Sequence, residues 1–290
     1  MSLIAIDLDG TLLNHQNEIS KENLSAIKNA QENGIEVVIS TGRAYFDVKN
    51  ICKKAGLSTY VIGTNGATIH SKDDKRIDVT TIDKNSVLSI LQWLDEREYY
   101  YEVFTDKAIY ALKKHREHFH NEIQILKNSN LDEKMKEIVD VAERQFDQFG
   151  YVLVENYHDI LNIEENFYNI LACSFDQKKL IEAKELIKSM DGVMAVSSAD
   201  HNIEITNNNA SKGIALEKLA TLLKLSLNRS MAIGDSNNDL SMFKKVGYSI
   251  AMGNAKDEIK EICTATTLTN DKNGVAHAIY LYLENIVLQK

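Results

Sequence analysis

Two aspartates separated by one residue, Asp7 and Asp9, follow the short apolar run Leu3-Ile4-Ala5-Ile6 and precede Gly10-Thr11-Leu12-Leu13. Side chains alternate faces along a strand, so an extended chain puts both carboxylates on one side, and Gly10 lets the backbone turn away directly after them. Like charges held close together are costly unless a cation lies between them or one keeps its proton. Both remedies suit chemistry on an anion such as phosphate. Asp-Gly is also ordinary turn chemistry, so the pair alone decides nothing. An EF-hand loop beginning at Asp7 is disfavoured, because its sixth position needs glycine and holds Leu12.

Three further segments carry chemistry. Gly234-Asp235-Ser236-Asn237-Asn238-Asp239 follows a short apolar strand, and its two aspartates, four residues apart, can approach one site. Oxygen donors with no histidine or cysteine nearby select Mg²⁺ over zinc. Ser211-Lys212-Gly213 opens a helix with a cation where the helix dipole favours an anion, which a bound anion would compensate. Thr41-Gly42-Arg43 follows another strand and can offer a hydroxyl and backbone N–H groups to phosphate, or serve as a plain strand-to-helix turn. Lys212 taken alone also reads as a solvated surface lysine, much the commoner fate of that residue type.

These segments need elements to place them. From the start to about Asp83, apolar strands alternate with helices: Leu3 to Ile6, a helix from Ser20 to Asn33, Ile35 to Ile39, a helix from Ala44 to Ala55, then Tyr60 to Ile62. The alternation returns late, with a helix from Ser211 to Leu225, Met231 to Ile233, a helix from Leu240 to Val246, Tyr248 to Met252 and a terminal helix from Val275. Fully apolar strands between helices predict a parallel sheet covered on both faces. The middle reads as a helix at Ser86 to Arg97, strands at Tyr99 to Phe104 and Ala108 to Leu112, helical Lys134 to Phe146, a helix at Lys178 to Met190, and strands at Val193 to Ser198 and Asn202 to Ile205. The expected organisation is an α/β, Rossmann-like, doubly wound core from residues 1–83 and 207–290, with an inserted α+β domain over 84–206.

Composition narrows the functions. A 290-residue chain that is 44% hydrophobic can pack two domains. Its net charge of -9 argues against a nucleic-acid footprint and gives no support for docking on anionic lipid. Cys52, Cys173 and Cys263 are widely spaced and form no metal or disulfide pattern. The N-terminal apolar run is broken by Asp7 and lacks a basic lead, so a cytoplasmic protein is expected. His115, His118 and His120 read as a solvated helix face, and Tyr99-Tyr100-Tyr101 as a strand whose alternate rings pack on a core.

Taken in order, Asp7-Leu8-Asp9-Gly10-Thr11, Thr41-Gly42, Thr64-Asn65-Gly66-Ala67, Lys212 and Gly234-Asp235-Ser236-Asn237-Asn238-Asp239 resemble the haloacid dehalogenase superfamily, specifically its Cof-type phosphatases with a large inserted cap of the C2 type. The resemblance spans essentially the whole chain. It implies that Asp7 is the nucleophile and becomes an aspartyl-phosphate, while Asp9 is the general acid and base. It implies Mg²⁺ held by the Asp7 carboxylate, the Asp9 backbone carbonyl and Asp235, with Asp239 orienting the ligands. Thr41, Lys212 and Asn238, with backbone N–H groups of Leu8 and Gly42, would hold the phosphoryl oxygens. Asp9 favours phosphoryl transfer over dehalogenation, since halide leaves unprotonated. The implied substrate is a small phosphorylated metabolite of the sugar phosphate, nucleotide, FMN or pyridoxal phosphate class, selected by the cap, with no protein partner required. A phosphomutase of the same superfamily is the enzyme alternative. A phospho-aspartate signalling module is the alternative of another class, disfavoured because Asp7 lies on the first strand.

Overall fold

The computed structural model describes residues 2–288. It divides into two compact units, one formed by residues 1–79 and 210–290 and the other by residues 80–209. The divisions fall a few residues from positions 83 and 207, where patterning places them.

The first unit opens with β1 (Leu3–Ile6), α1 (Lys21–Glu32), β2 (Glu36–Ser40), α2 (Tyr45–Ala55) and β3 (Tyr60–Gly63). An antiparallel pair, β4 (Thr68–His70) and β5 (Arg76–Val79), follows and was not foreseen, because β5 is mostly exposed and lacks the apolar run that marks the parallel strands. Ser20 caps α1, its side chain accepting from the Asn23 N–H.

The second unit contains α3 (Lys84–Asp95), β6 (Tyr100–Thr105), β7 (Ile109–Leu112), α4 (Lys113–Lys127), α5 (Glu133–Arg144), β8 (Tyr151–Val154), α6 (Tyr157–Leu161), β9 (Phe167–Cys173), α7 (Gln177–Lys188), β10 (Val193–Val196) and β11 (Asn202–Asn207). Its sheet runs β10-β11-β9-β6-β7-β8, antiparallel except for the β7–β8 pair. No expectation above covered β8 or β9. The run Phe167-Tyr168-Asn169-Ile170-Leu171-Ala172-Cys173 does not alternate, because β9 lies between β6 and β11 and every residue in it is buried. Two readings need correction here. His115 is buried beside Asp95 (3.6 Å) and the edge of the Tyr101 ring, so it is not on a solvated face. All three rings of Tyr99-Tyr100-Tyr101 are buried, since both faces of the sheet are covered: Tyr101 lies in the apolar cluster with Leu91 and Leu94 of α3, and Tyr100 stacks on Phe119 of α4.

The chain then returns to the first unit with α8 (Lys212–Leu222), β12 (Met231–Gly234), α9 (Leu240–Phe243), β13 (Tyr248–Ala251), α10 (Asp257–Ile262), β14 (Ala265–Thr266) and α11 (Gly274–Leu288). The sheet order is β14-β13-β12-β1-β2-β3-β4-β5, with all pairs from β14 to β3 parallel. Alternation along β1 explains its fully apolar sequence. Ile4 and Ile6 pack in the cluster that includes Ala26, Ile27 and Ile279, while Leu3 and Ala5 face Leu216, Leu219 and Met242. β1 therefore lies centrally, with β12 on one side and β2 and then β3 on the other. The loops leaving the C-terminal ends of these four strands carry the Asp7, Asp235, Thr41 and Thr64 segments, the position where open parallel sheets hold ligands. No described helix is long and apolar enough to cross a membrane.

One contact ties the Asp7 loop to both ends of this unit. The buried Asn23 side chain of α1 accepts from the Ala276 N–H in the first turn of α11 (2.9 Å) and donates to the Leu12 carbonyl (3.5 Å). Asn23→Ala strips the partner from a buried N–H at a helix N-terminus, at a cost of about 1–3 kcal/mol. The urea unfolding midpoint should fall accordingly with an unchanged m-value, and an unmoved midpoint would show that the contact contributes nothing.

Candidate active site

β1 ends at Ile6, and Asp7 to Leu13 form a tight turn in which the Leu12 N–H reaches the Asp7 carbonyl (3.2 Å) and the Leu13 N–H reaches that of Leu8 (2.9 Å). Alternation therefore does not govern Asp7 and Asp9, contrary to the extended reading. Gly10, at φ +74, makes the turn, and a Cβ there would fall against the Asp235 carboxylate. Asp7 points inward and is 4% exposed, whereas the Asp9 side chain is 53% exposed and engages Arg43.

The centre of the site is the ammonium of Lys212, at the start of α8, which donates to Asp7 Oδ1 (2.7 Å) and Asp239 Oδ1 (2.6 Å). Ser211 caps that helix, its hydroxyl accepting from the Ile214 N–H (3.2 Å). Lys212 is fully buried, so its reading as a solvated surface group is excluded. Burial works against its charge, but Asp239 and Asp7 outweigh burial and hold the ammonium protonated well above the ordinary lysine range. Asp239 Oδ2 in turn accepts from the backbone N–H groups of Asp235 (2.9 Å) and Ser236 (3.1 Å). Gly234 permits that close turn, since a Cβ there would overlap the Asp239 carboxyl. Thr11 completes the group by donating to Asp235 Oδ1 (3.0 Å).

Carboxylate oxygens of Asp7, Asp235 and Asp239 lie within 4.8 Å of one another. Three carboxylates against one ammonium leave a formal excess of two negative charges. Burial first, and then neighbouring carboxylates against the opposing pull of Lys212, raise the Asp7 carboxyl well above its usual range. Burial and Asp239 push Asp235 up to about 7, against the lowering influence of Thr11 and Lys212. An all-oxygen donor set with this excess charge fits a hard divalent cation such as Mg²⁺. Asp7 and Asp235 are the side chains suited to it, since Asp239 already spends both oxygens on Lys212 and the loop N–H groups.

The remaining predicted residues stand on the strand ends and loops next to this group. Thr41 is buried, its hydroxyl accepts from the Arg43 N–H (3.2 Å), and its carbonyl accepts from the Asn65 N–H (3.0 Å). Gly42 links it to Arg43. Asn238 donates to Asn65 Oδ1 (3.1 Å) and accepts from the Ser236 hydroxyl (2.7 Å). The Leu8 side chain is in the core, and its carbonyl closes the turn. Sequence reasoning gave no role to Arg43, Asp47, Thr11 or Asn65. The Arg43–Asp47 spacing of four residues at a helix start was a visible signal. The loop after β3 was visible only as the Thr64-Asn65-Gly66-Ala67 segment of the family resemblance, and its backbone was not legible: Thr64 and Asn65 both adopt left-handed conformations, at φ +49 and +54, costly for a β-branched residue.

The sequence profile of the haloacid dehalogenase-like hydrolases matches residues 4–279. Phosphatase YwpJ of Bacillus subtilis (strain 168) is 44% identical over 279 residues, covering 96% of this chain and 98% of that protein. The 5-amino-6-(5-phospho-D-ribitylamino)uracil phosphatase YwtE of the same organism is 42% identical over 279 residues, covering 96% and 97%. The solved structure of a haloacid dehalogenase-like hydrolase from B. subtilis superposes with a TM-score of 0.86 at 43% identity, covering 97% of this chain and 99% of that one. The chain belongs to the haloacid dehalogenase-like hydrolases and is a Cof-type phosphatase, a phosphoric monoester hydrolase.

Asp235 supplies a pH-dependent test of the carboxylate cluster. An acid whose folded pKa is raised, here from the ordinary 3.8 to about 7, binds its proton more tightly when folded, so the metal-free protein loses stability through this group as pH climbs across that window. A divalent cation bound by these carboxylates would replace the proton and restore that stability. Mg²⁺ should therefore raise the melting temperature more at about pH 8 than at about pH 5. Equal rises at both pH values in a thermal melt would contradict the cluster as the binding site.

Proposed function

We propose that this phosphatase depends on Mg²⁺ and hydrolyses a small phosphorylated metabolite through an aspartyl-phosphate on Asp7. The observation that carries the reading is the buried Asp7 carboxylate fixed by Lys212 at 2.7 Å, with Asp235 and Asp239 oxygens within 4.8 Å. A carboxylate held in one rotamer and surrounded by excess negative charge is costly in a resting protein and useful in a nucleophile whose neighbour is a cation.

An oxygen of Asp7 forms the bond to phosphorus as the bond to the leaving oxygen breaks, and Asp9 delivers its proton to that oxygen. Asp9 then takes a proton from water, the water oxygen displaces Asp7 from phosphorus, and inorganic phosphate departs. Lys212, Thr41, Asn238 and the backbone N–H groups of Leu8 and Gly42 hold the phosphoryl oxygens, so developing charge meets donors already in place. The carboxylates of Asp7 and Asp235 with the Asp9 carbonyl would hold Mg²⁺, Asp239 orienting them, and the bound ion supplies charge neutralisation at the phosphoryl group.

The substrate class favoured is an alkyl phosphate on a sugar or polyol chain. The 42% identical relative named for a phosphoribitylamino-uracil supports this class, and FMN, which carries the same kind of ribityl ester, nucleotides and pyridoxal phosphate are the further candidates. The charge of -9 supports a small-molecule substrate over nucleic acid or an anionic membrane surface.

Two outcomes are expected. Hydrolysis of p-nitrophenyl phosphate should need added Mg²⁺ and fall by at least about 10³-fold in Asp7→Asn; metal-independent turnover, or retained activity in that variant, would overturn the mechanism. In a panel of sugar phosphates, FMN, nucleotides and pyridoxal phosphate, kcat/KM should be highest for ribityl or sugar esters with release of inorganic phosphate. An isomeric phosphate accumulating without free phosphate would instead identify a mutase.

A further inference from the structure

Arg43 sits between two carboxylates of different character. Its Nε and Nη2 donate to the two oxygens of Asp9 (2.8 and 2.7 Å), and its Nη1 donates to Asp47 Oδ2 (2.7 Å). The Arg43 and Asp47 side chains are 9% and 5% exposed, against 53% for Asp9. Asp47 alone neutralises the guanidinium, so charge balance does not require the second carboxylate. The Arg43 backbone is fixed as well: its N–H meets the Thr41 hydroxyl (3.2 Å), and its carbonyl accepts from the N–H of left-handed Thr64 (2.9 Å). A rigid, buried guanidinium thus presents a two-pronged donor to an exposed side chain that sits on a turn and would otherwise sample several rotamers. Both Asp9 oxygens accept in this contact, which fixes the orientation of the carboxylate on its turn.

We propose that Arg43 is a positioning residue for Asp9: anchored by Asp47, it holds the Asp9 carboxylate where it accepts the proton of the water that hydrolyses the aspartyl-phosphate. The inference rests on the assignment of Asp7 and Asp9 made above. In the step concerned, the water O–H bond breaks with its proton going to Asp9, the water oxygen bonds to phosphorus, and the Asp7–phosphorus bond breaks to return the Asp7 carboxylate. In this step Arg43 acts only through Asp9. Its loss slows this second step and leaves the first step largely intact when the leaving group needs no proton.

Stopped-flow kinetics with p-nitrophenyl phosphate and Mg²⁺ separate the steps, because p-nitrophenolate departs unprotonated. Arg43→Gln should release a burst of about one p-nitrophenolate per enzyme and then turn over slowly, with kcat down on the order of 10²-fold and kcat/KM down less than about threefold. Asp9→Asn should show the same burst. Since Arg43→Gln leaves the buried Asp47 carboxylate without its cation, Arg43→Gln/Asp47→Asn provides a folded alternative, checked by thermal melting, for which the same burst is expected. Equal falls in kcat and kcat/KM with no burst in the Arg43 variants, beside a burst in Asp9→Asn, would overturn the role of Arg43 alone. No burst in Asp9→Asn would overturn Asp9 as the proton acceptor and the inference with it.

Discussion

The rest of the site depends on one buried cation shared between two carboxylates. Lys212 reaches Asp7 from the start of α8 and Asp239 from the loop after β12, so a single ammonium joins segments that lie more than two hundred residues apart in sequence. Removing the Lys212 ammonium from such a buried group leaves its carboxylates uncompensated, at a cost of about 3–5 kcal/mol. The geometry of every neighbour follows from that constraint. Asp239 must turn inward to meet Lys212, which Gly234 permits, and its second oxygen then gathers the Asp235 and Ser236 N–H groups and sets the loop that presents Asp235.

The same constraint separates the two aspartates of the first loop. Asp7 goes to the buried cation and Asp9 to Arg43, so each carboxylate has its own positive partner. Lys212 does not balance the cluster it joins, and the residual negative charge falls on Asp7 and Asp235, whose carboxyls are both pushed upward. Asp9, turned outward, perturbs Asp7 less than burial, Lys212, Asp239 or Asp235 does. A nucleophile in an acidic cluster and a proton carrier on a separate arginine are thus distinguished by their surroundings, although one residue separates them in the chain.

Much of this was legible from residue types alone. The apolar runs of β1, β2, β3 and β12 announce a parallel sheet, and the Asp7, Thr41, Lys212 and Asp235 segments each stand where a strand ends or a helix begins. The legible features are local: a strand, a cap, a turn glycine. The illegible ones depend on tertiary partners. A lysine in a first helical turn reads as a surface group until Asp7 and Asp239 bury it. His115 looks solvated in its mixed-charge stretch until Tyr101 covers it. The left-handed Thr64 defies its own backbone preference and is held by the Arg43 carbonyl and its place beside Asn65. β9 is buried on both faces like β1, but its apolar run is interrupted by Asn169, whose place in a core is explained only by its tertiary partner Glu204 on β11.

The central claim is that the carboxylate fixed by Lys212 carries the phosphoryl group. Rapid acid quench of the Asp9→Asn enzyme during turnover of p-nitrophenyl phosphate, whose leaving group needs no proton, followed by peptide mass spectrometry, tests it directly. The account predicts a phosphoryl group on Asp7 and on no other residue. A label on any other side chain, or product formed with none on Asp7, would contradict it.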